Sequence, residues 1–368
     1  MKLNYAFFVS PTTAFSPTEY NTHQAYMKRC LSLAALGLGT TGPNPMVGCV
    51  IVQDKTIIGE GWHQKAGEAH AEVQAVNSVK DKALLKGATV YVSLEPCSHF
   101  GKTPPCADLL IREQVGRVII GCTDPNPAVA GTGIKKLEAA GIEVFRGVCE
   151  LEARALNKRF FTFHNKRRPF VILKWAESHD GYIAPAQKTQ QAPVWISNAL
   201  SRQRTHKWRA EESAILIGVE TALSDDPSLT TRDWPGKSPV RVVIDINGRL
   251  DEKLKVLDGS APTIVFTAAE KTTTANHIDY IKVAAGELPI NDLLRDLYDK
   301  GVQSLIVEGG ASTLQRFIDS GLWDEARTFI GPTDLKSGLK APVLDLEPSS
   351  AESLHHDRLL TYLNPQQL

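Results

Sequence analysis

Apolar positions recur at helical spacing from Gln24 to Leu38, and "TTGPNP" then ends the pattern before "VGCVIVQ" (47–53), an unbroken apolar run of strand length. "TIIGEGWH" is expected to pair with that strand as a hairpin through Asp54 and Lys55. A helix opens near His70, and "ATVYVSL" (88–94) forms the next strand. A helix then runs from about Pro105 to Gln114, "RVIIGCT" is a strand, a further helix ends in "AAG" (139–141), and "IEVFRGV" closes the series. Strands alternating with helices of this length predict α/β architecture with a largely parallel sheet after the opening hairpin.

Glu150 to Asn165 reads as one helix, and the basic, proline-ended "NKRRP" (165–169) marks a domain boundary. The alternation then restarts with strands at 170–176, 214–218, 240–245, 263–267, 304–309 and 326–331 and helices near 198–211, 290–299 and 311–320. This is a second α/β domain, in keeping with a chain of 368 residues.

Composition narrows the function classes. An apolar content of 42%, a charged content of 22% and a formal net charge of zero describe a globular protein with enough material for full cores. Balanced charge gives no electrostatic reason to expect nucleic acid or an anionic membrane as the main partner, and favours a small-molecule ligand. No window approaches a membrane-spanning apolar run. Residues 1–22 contain an apolar run too short for a signal peptide and are expected to form a flexible or loosely docked extension. Six cysteines, all in the first 150 residues, are spread too thinly for a small disulfide framework and point to a reducing cytoplasm and a metal site.

The chemistry-bearing residues of the first half come in three pieces. "HAE" at His70, Ala71 and Glu72 opens an amphipathic helix, and the next strand delivers Pro96-Cys97, with Cys106 nine residues later. One imidazole and two thiolates suit zinc with the fourth position left to water, the arrangement of a catalytic site. Metal lowers that water's pKa towards neutrality, and Glu72 is the proton carrier. Residues two apart on a regular helix diverge, so His70 and Glu72 converge only if the ion sits over the first turn, where the helix end favours anions. Cys106 follows two prolines at a helix start, a setting that favours thiolate. Cys30, Cys49, Cys122 and Cys149 read as packed small hydrophobes, and His99 as a solvent-exposed loop residue. A metal that only supports the fold would need a fourth protein ligand, and none is visible. Zinc deaminases commonly carry H-x-E followed by P-C-x-x-C. Here eight residues separate the cysteines.

That wider spacing, in "PCSHFGKTPPC" (96–106), together with "GPNPMVGCVIV" (42–52), "GWHQKAGEAHAE" (61–72) and "DPNPAVAGTGI" (124–134), closely resembles the deaminase half of the RibD family of bifunctional riboflavin biosynthesis enzymes. The resemblance implies zinc-dependent displacement of the 2-amino group of a pyrimidinone ribosylamine 5′-phosphate, with Glu72 shuttling protons. It also implies substrate contacts at Asn44, His63 and Lys102.

In the second half, "LIVEGGASTL" (305–314) sets Glu308, two glycines and small hydroxyl residues between a strand and a helix, where free amides welcome a phosphate. It is no G-x-G-x-x-G fingerprint. With "LKWAESHDGYIA" (173–184), "WISN" (195–198), "HKWRAEESAILIGVETALSDDPSLTTR" (206–232) and "RVVIDINGRL" (241–250) it looks like the reductase half of the same family, similar in fold to dihydrofolate reductase and using NADPH. The implied reaction is hydride delivery to C1′ of the ribosyl group. By position, Ala176, Glu177, Trp195, Thr221, Asp225, Gly310, Ala311, Ser312 and Thr313 are expected to line the cofactor. Lys174, Arg209, Leu229, Arg232 and Glu308 are expected to hold the substrate, with Lys174 and Asp225 helping to protonate or polarise the sugar. Two arginines can grip a phosphate, and a strand-end carboxylate can accept from ring N–H groups. Pro193 and Ile246 stand where the family carries serines.

The resemblance thus implies an extension (1–22), a cytidine-deaminase-like three-layer α/β/α domain (23–165) and a dihydrofolate-reductase-like α/β domain (166–368). One Zn2+ per chain, NADPH and a cytoplasmic homo-oligomer go with it. The alternative is a deaminase of another nucleotide or nucleoside with an inactive or redirected reductase-like domain.

Overall fold

A computed structural model describes residues 15–100, 104–126, 129–187, 191, 194–270 and 277–367. The chain divides into two compact units, Met1–Lys166 and Arg167–Leu368.

The first helix, α1 (Pro17–Ala34), starts seven residues before the apolar periodicity does. Cap chemistry sets its start: Ser16 Oγ accepts from the Glu19 N–H while Glu19 Oε2 accepts from the Ser16 N–H at 2.9 Å, and proline takes the first turn. Phe15 packs on His23 and Phe145, with ring centroids 4.2 and 4.5 Å away. The expected extension is therefore corrected from Phe15 onward: residues 17–22 are the polar first turns of a docked helix.

Strands β1 (Gly48–Gln53) and β2 (Thr56–Trp62) form the hairpin, and Asp54 and Lys55 both take positive φ, as a two-residue turn between twisted strands requires. Helix α2 (Ala71–Ser78) lies on β2 backbone to backbone. A Cβ on Gly61 would fall 2.4 Å from the Ala75 nitrogen, and one on Gly59 would fall 2.6 Å from the Ala75 oxygen. Then follow β3 (Thr89–Leu94), α3 (Cys106–Arg112), β4 (Arg117–Cys122), α4 (Thr132–Ala139) and β5 (Glu143–Arg146). The sheet order is β2-β1-β3-β4-β5, antiparallel through β3 and parallel beyond it. Alternation along β1 makes three layers: Cys49 and Ile51 face a core with α2, α3 and α4, whereas Val50 and Val52 face one with α1.

The single helix expected over 150–165 is two, α5 (Glu150–Leu156) and α6 (Lys158–Lys166). Asn157 interrupts it. Its buried amide accepts from the Met46 N–H at 2.8 Å and donates to the Met46 carbonyl at 2.9 Å, satisfying the loop that precedes β1. Asn157→Ala is expected to lower the stability of the first unit by about 2–4 kcal/mol, since both Met46 groups lose their partner. Chemical denaturation followed by a probe in that unit checks this.

The second unit runs β6 (Phe170–Glu177), β7 (Tyr182–Pro185), α7 (Ala199–Glu211), β8 (Ala214–Gly218), α8 (Val219–Asp225), β9 (Val240–Ile244), β10 (Thr263–Thr267), β11 (Ile278–Lys282), α9 (Ile290–Asp299), β12 (Ser304–Gly309), α10 (Ala311–Ser320), β13 (Glu325–Ile330), β14 (Gly338–Lys340), β15 (Ser350–Leu354) and β16 (Asp357–Leu363). Its large sheet has the order β11-β10-β9-β8-β12-β6-β13-β16-β15, parallel up to β13 and antiparallel at the β16 and β15 edge. Ala214 and Leu216 of β8 face the core under α9 and α10, and Ile215 and Ile217 face the one under α7 and α8. A small two-stranded sheet joins β14 to β7. The carboxyl ends of β6, β8 and β12 thus lie side by side, where α/β sheets present their ligand sites.

Candidate active sites

His70 is the N-cap of α2, in extended conformation (φ −69°, ψ 165°), and Glu72 is in the first turn. The cap position removes the geometric conflict between them, because His70 is outside the helix and free to turn over its end. Cys97 follows β3, and Cys106 is the first residue of α3. His70 Nδ1 is 3.6 Å from Cys97 Sγ and 3.3 Å from Cys106 Sγ, and the ligand atoms of the three residues lie within 4.8 Å of one another. The Cys106 N–H donates to Cys97 Sγ at 3.3 Å, and the Ala107 N–H to the Cys97 carbonyl at 3.1 Å. The hydrogen bond from the Cys106 thiol, against the cost of burial and with help from His70, lowers the Cys97 pKa, and the same contact raises that of Cys106. An imidazole and two sulfurs at this spacing fit zinc, and no fourth ligand joins the group among the described residues.

Glu72 is 3% exposed, and burial, reinforced by the charge of Cys97, pushes its pKa up to about 7. A carboxyl poised there exchanges protons in both directions at neutral pH. Asn44 and His63 belong to the same site. His63 Nδ1 lies 3.2 Å from the Ala69 carbonyl, and its Nε2 lies 3.1 Å from Asn44 Nδ2. Donation to Ala69 leaves Nε2 to accept from Asn44, and burial lowers the pKa of this imidazole, whose ring meets that of His70 edge-on at 5.5 Å. Lys102 lies outside the described residues, and His99 is exposed.

In the second unit a cavity of about 500 Å³ opens at the strand ends. Lys174, Ala176, Trp195, Thr221, Asp225, Arg209, Leu229, Arg232 and Glu308 all line it. Glu177 stands apart from this group. Side chains alternate along β6, so Glu177 shares a face with Trp175, whose indole N–H donates to Glu177 Oε2 at 2.7 Å, and it does not line the cavity that Lys174 and Ala176 line. Gly310, Ala311, Ser312 and Thr313 do not line it either. They form the N-cap and first turn of α10 beside α8: a Cβ on Gly310 would sit 3.3 Å from Thr221 Oγ1, and one on Gly218 would sit 2.7 Å from Thr313 Oγ1.

Arg209 and Glu308, expected to grip different parts of a ligand, grip each other. Arg209 Nη2 donates to Glu308 Oε2 at 2.8 Å, Nε reaches Oε1 at 3.4 Å, and Nη1 donates to the Thr230 carbonyl at 3.2 Å. Burial alone would raise the Glu308 pKa, but Arg209 and Lys174 outweigh it and bring it down to about 2. Burial lowers the pKa of Lys174, opposed by Glu308. Arg232 bonds Ser228 and, at 3.2 Å, Thr230 Oγ1. Ile246 packs against the core beneath α9 and α10, where an apolar side chain belongs, and Pro193 lies outside the described residues.

Reading the sequence missed Arg202, His206, Ser228 and Lys255, which also line the cavity. The available signal was the spacing of Arg202, His206 and Arg209, which puts them on one face of α7. Arg202 stacks over Trp195 at 5.3 Å, and Trp195 itself is 61% exposed. His206 Nδ1 accepts the Arg232 N–H at 3.0 Å, and burial together with Arg209 lowers its pKa to about 4. A histidine kept neutral in the fold leaves stability unaffected above pH 6.5. As pH falls from 6.5 towards 4 the unfolded chain takes up a proton that the native state refuses. The second unit is therefore expected to lose about 3 kcal/mol over that window, and His206→Asn to lose less, as denaturant titrations at several pH values would read.

Residues 20–122 match the cytidine and deoxycytidylate deaminase zinc-binding region, and residues 169–356 match the RibD C-terminal domain. The chain is 43% identical over 334 residues to the riboflavin biosynthesis protein RibD of Aquifex aeolicus, covering 89% of this chain and 92% of that one. It is 39% identical over 330 residues to RibD of Escherichia coli, covering 85% and 88%. The crystal structure of a diaminohydroxyphosphoribosylaminopyrimidine deaminase/5-amino-6-(5-phosphoribosylamino)uracil reductase from Thermotoga maritima superposes with a TM-score of 0.85 at 38% identity, covering 94% of this chain and 99% of that one. With both halves matched in order and nearly end to end, the chain belongs to the RibD family, the bifunctional zinc-dependent deaminases and reductases of riboflavin biosynthesis.

Proposed function

We propose that the chain acts twice on one small molecule. It first removes the 2-amino group of 2,5-diamino-6-ribosylamino-4(3H)-pyrimidinone 5′-phosphate by hydrolysis, then reduces the ribosyl group at C1′ to a ribityl chain. The observation that carries the reading is the His70, Cys97 and Cys106 cluster beside a buried Glu72, in a chain whose second unit holds a cavity around Lys174, Arg209 and Glu308.

In the first step His70 and the two cysteines hold zinc, which when bound supplies a water acidified towards neutrality. Glu72 takes a proton from the attacking water and passes it to the departing amine. The water oxygen bonds to C2 as the C–N bond breaks, and ammonia leaves. Asn44 and His63, hydrogen-bonded to each other with the imidazole anchored on the Ala69 carbonyl, orient the pyrimidinone, and Lys102 takes the phosphate.

For the second step NADPH supplies the hydride. The exposed ring of Trp195, with Ala176, Thr221 and Asp225, offers the cofactor a surface, and the amino end of α10 at Gly310 to Thr313, outside the cavity lining but next to Thr221, would favour one of its phosphates. Arg209, Leu229, Arg232 and Glu308 hold the substrate. Lys174, desolvated beside Glu308, gives a proton to the sugar oxygen as the ring opens, with Asp225 assisting. Cytoplasmic action as a homo-oligomer completes the reading. The free state of all six cysteines supports the compartment.

Purified protein incubated with the diaminopyrimidine phosphate tests it. Without NADPH, mass spectrometry should find the amino group exchanged for oxygen and ammonia released; with NADPH, two further hydrogens. Recovery of unchanged substrate from zinc-loaded protein would refute the proposal.

A further inference from the structure

Glu95 lies two residues before Cys97, just past the end of β3, and is 4% exposed. A carboxylate that deep requires partners. Among the described residues it has four, all backbone: the N–H groups of Asp124 (3.3 Å) and Gly131 (3.0 Å) donate to Oε2, and those of Gly133 (3.0 Å) and Ile134 (3.3 Å) to Oε1. These donors are the loop after β4 and the first turn of α4, within the "DPNPAVAGTGI" stretch. Converging amides of this kind commonly cradle a phosphate. Here the chain's own carboxylate fills the cradle, so the motif is a lock between two segments. The fit is close on both sides of Cys97. A Cβ on Gly133 would fall 2.0 Å from the Pro96 carbonyl, and Ser98 Oγ meets Thr132 Oγ1 at 2.6 Å.

We infer that Glu95 is a positioning residue for the deaminase metal centre: by docking residues 95–98 onto the amino end of α4, it fixes the Cys97 sulfur where His70 and Cys106 can share an ion with it. The inference rests on the reading of Cys97 as a metal ligand. Groups that orient ligands typically govern metal affinity by about 10–100-fold. A glutamine at this position would turn its NH2 group against N–H donors, and the segment carrying Cys97 would lose its anchor.

The test uses the full-length protein and two metals. Zinc affinity is measured by competition with a chromophoric chelator, and thiolate coordination by the charge-transfer absorption of the Co(II)-loaded protein. Glu95→Gln is expected to bind zinc about 10–100-fold more weakly, to shift the Co(II) spectrum, and to reduce deaminated substrate with NADPH at the unaltered rate. Wild-type affinity and spectrum in this variant overturn the inference. If the variant does not fold, hydrogen exchange on the unmutated protein decides: zinc loading is expected to slow exchange at Gly131, Gly133 and Ile134, and equal exchange with and without zinc overturns the inference. A Cys97→Ser variant that binds zinc as tightly as the wild type would instead overturn the reading of Cys97 itself.

Discussion

Glu72→Gln is expected to cut ammonia release by about 10²–10⁴-fold, the range for loss of a general acid–base, while the protein keeps its zinc and still oxidises NADPH on substrate that is already deaminated. The side chain is buried at the first turn of α2 with a carboxyl pushed up to about 7, so the amide keeps the packing and loses only the transferable proton. Metal content, ammonia and NADPH consumption can be read on one preparation. Deamination at the wild-type rate in this variant would take the proton-transfer role away from Glu72.

Removing Arg209 should have the next largest effect, confined to the other reaction. Its pair with Glu308 is about nine-tenths buried on both sides, and truncating one partner of such a pair costs about 3–5 kcal/mol because a charge is left without compensation. Arg209→Ala is therefore expected to destabilise the second unit by about that amount and to raise the KM for reduction about tenfold or more. Deamination should stay within a small factor of wild type. Steady-state assays of both reactions check this, and equal losses in the two would contradict separate sites. Arg209→Lys should fall between, since it keeps the charge and loses the fork.

The metal cluster was legible in the chain because each ligand sits at an element end that the sequence marks. His70 precedes an amphipathic run, Cys97 follows an apolar strand and a proline, and Cys106 follows two prolines. The Arg209–Glu308 pair was not legible. It joins residues 99 apart, and only the adjacency of β8, β12 and β6 in the sheet brings α7 over Glu308. The same strand neighbours make Lys174 a companion of both. Strands such as β15, exposed up to Leu354, carry no alternation to read, and α1 begins in polar residues whose signal is a capping box rather than a period. Glu177 shows the two-residue period of β6, turning to the face of Trp175 while Ala176 lines the cavity.

Contact between β2 and α2 through Gly59 and Gly61 has an implication for judging other sequences of this kind. A methyl group at either glycine would act as a wedge, prising the helix that carries His70 and Glu72 away from Cys97 and Cys106. A homologue could therefore retain every ligand and the proton carrier, pass any motif inspection, and be silenced by one alanine at either glycine of β2.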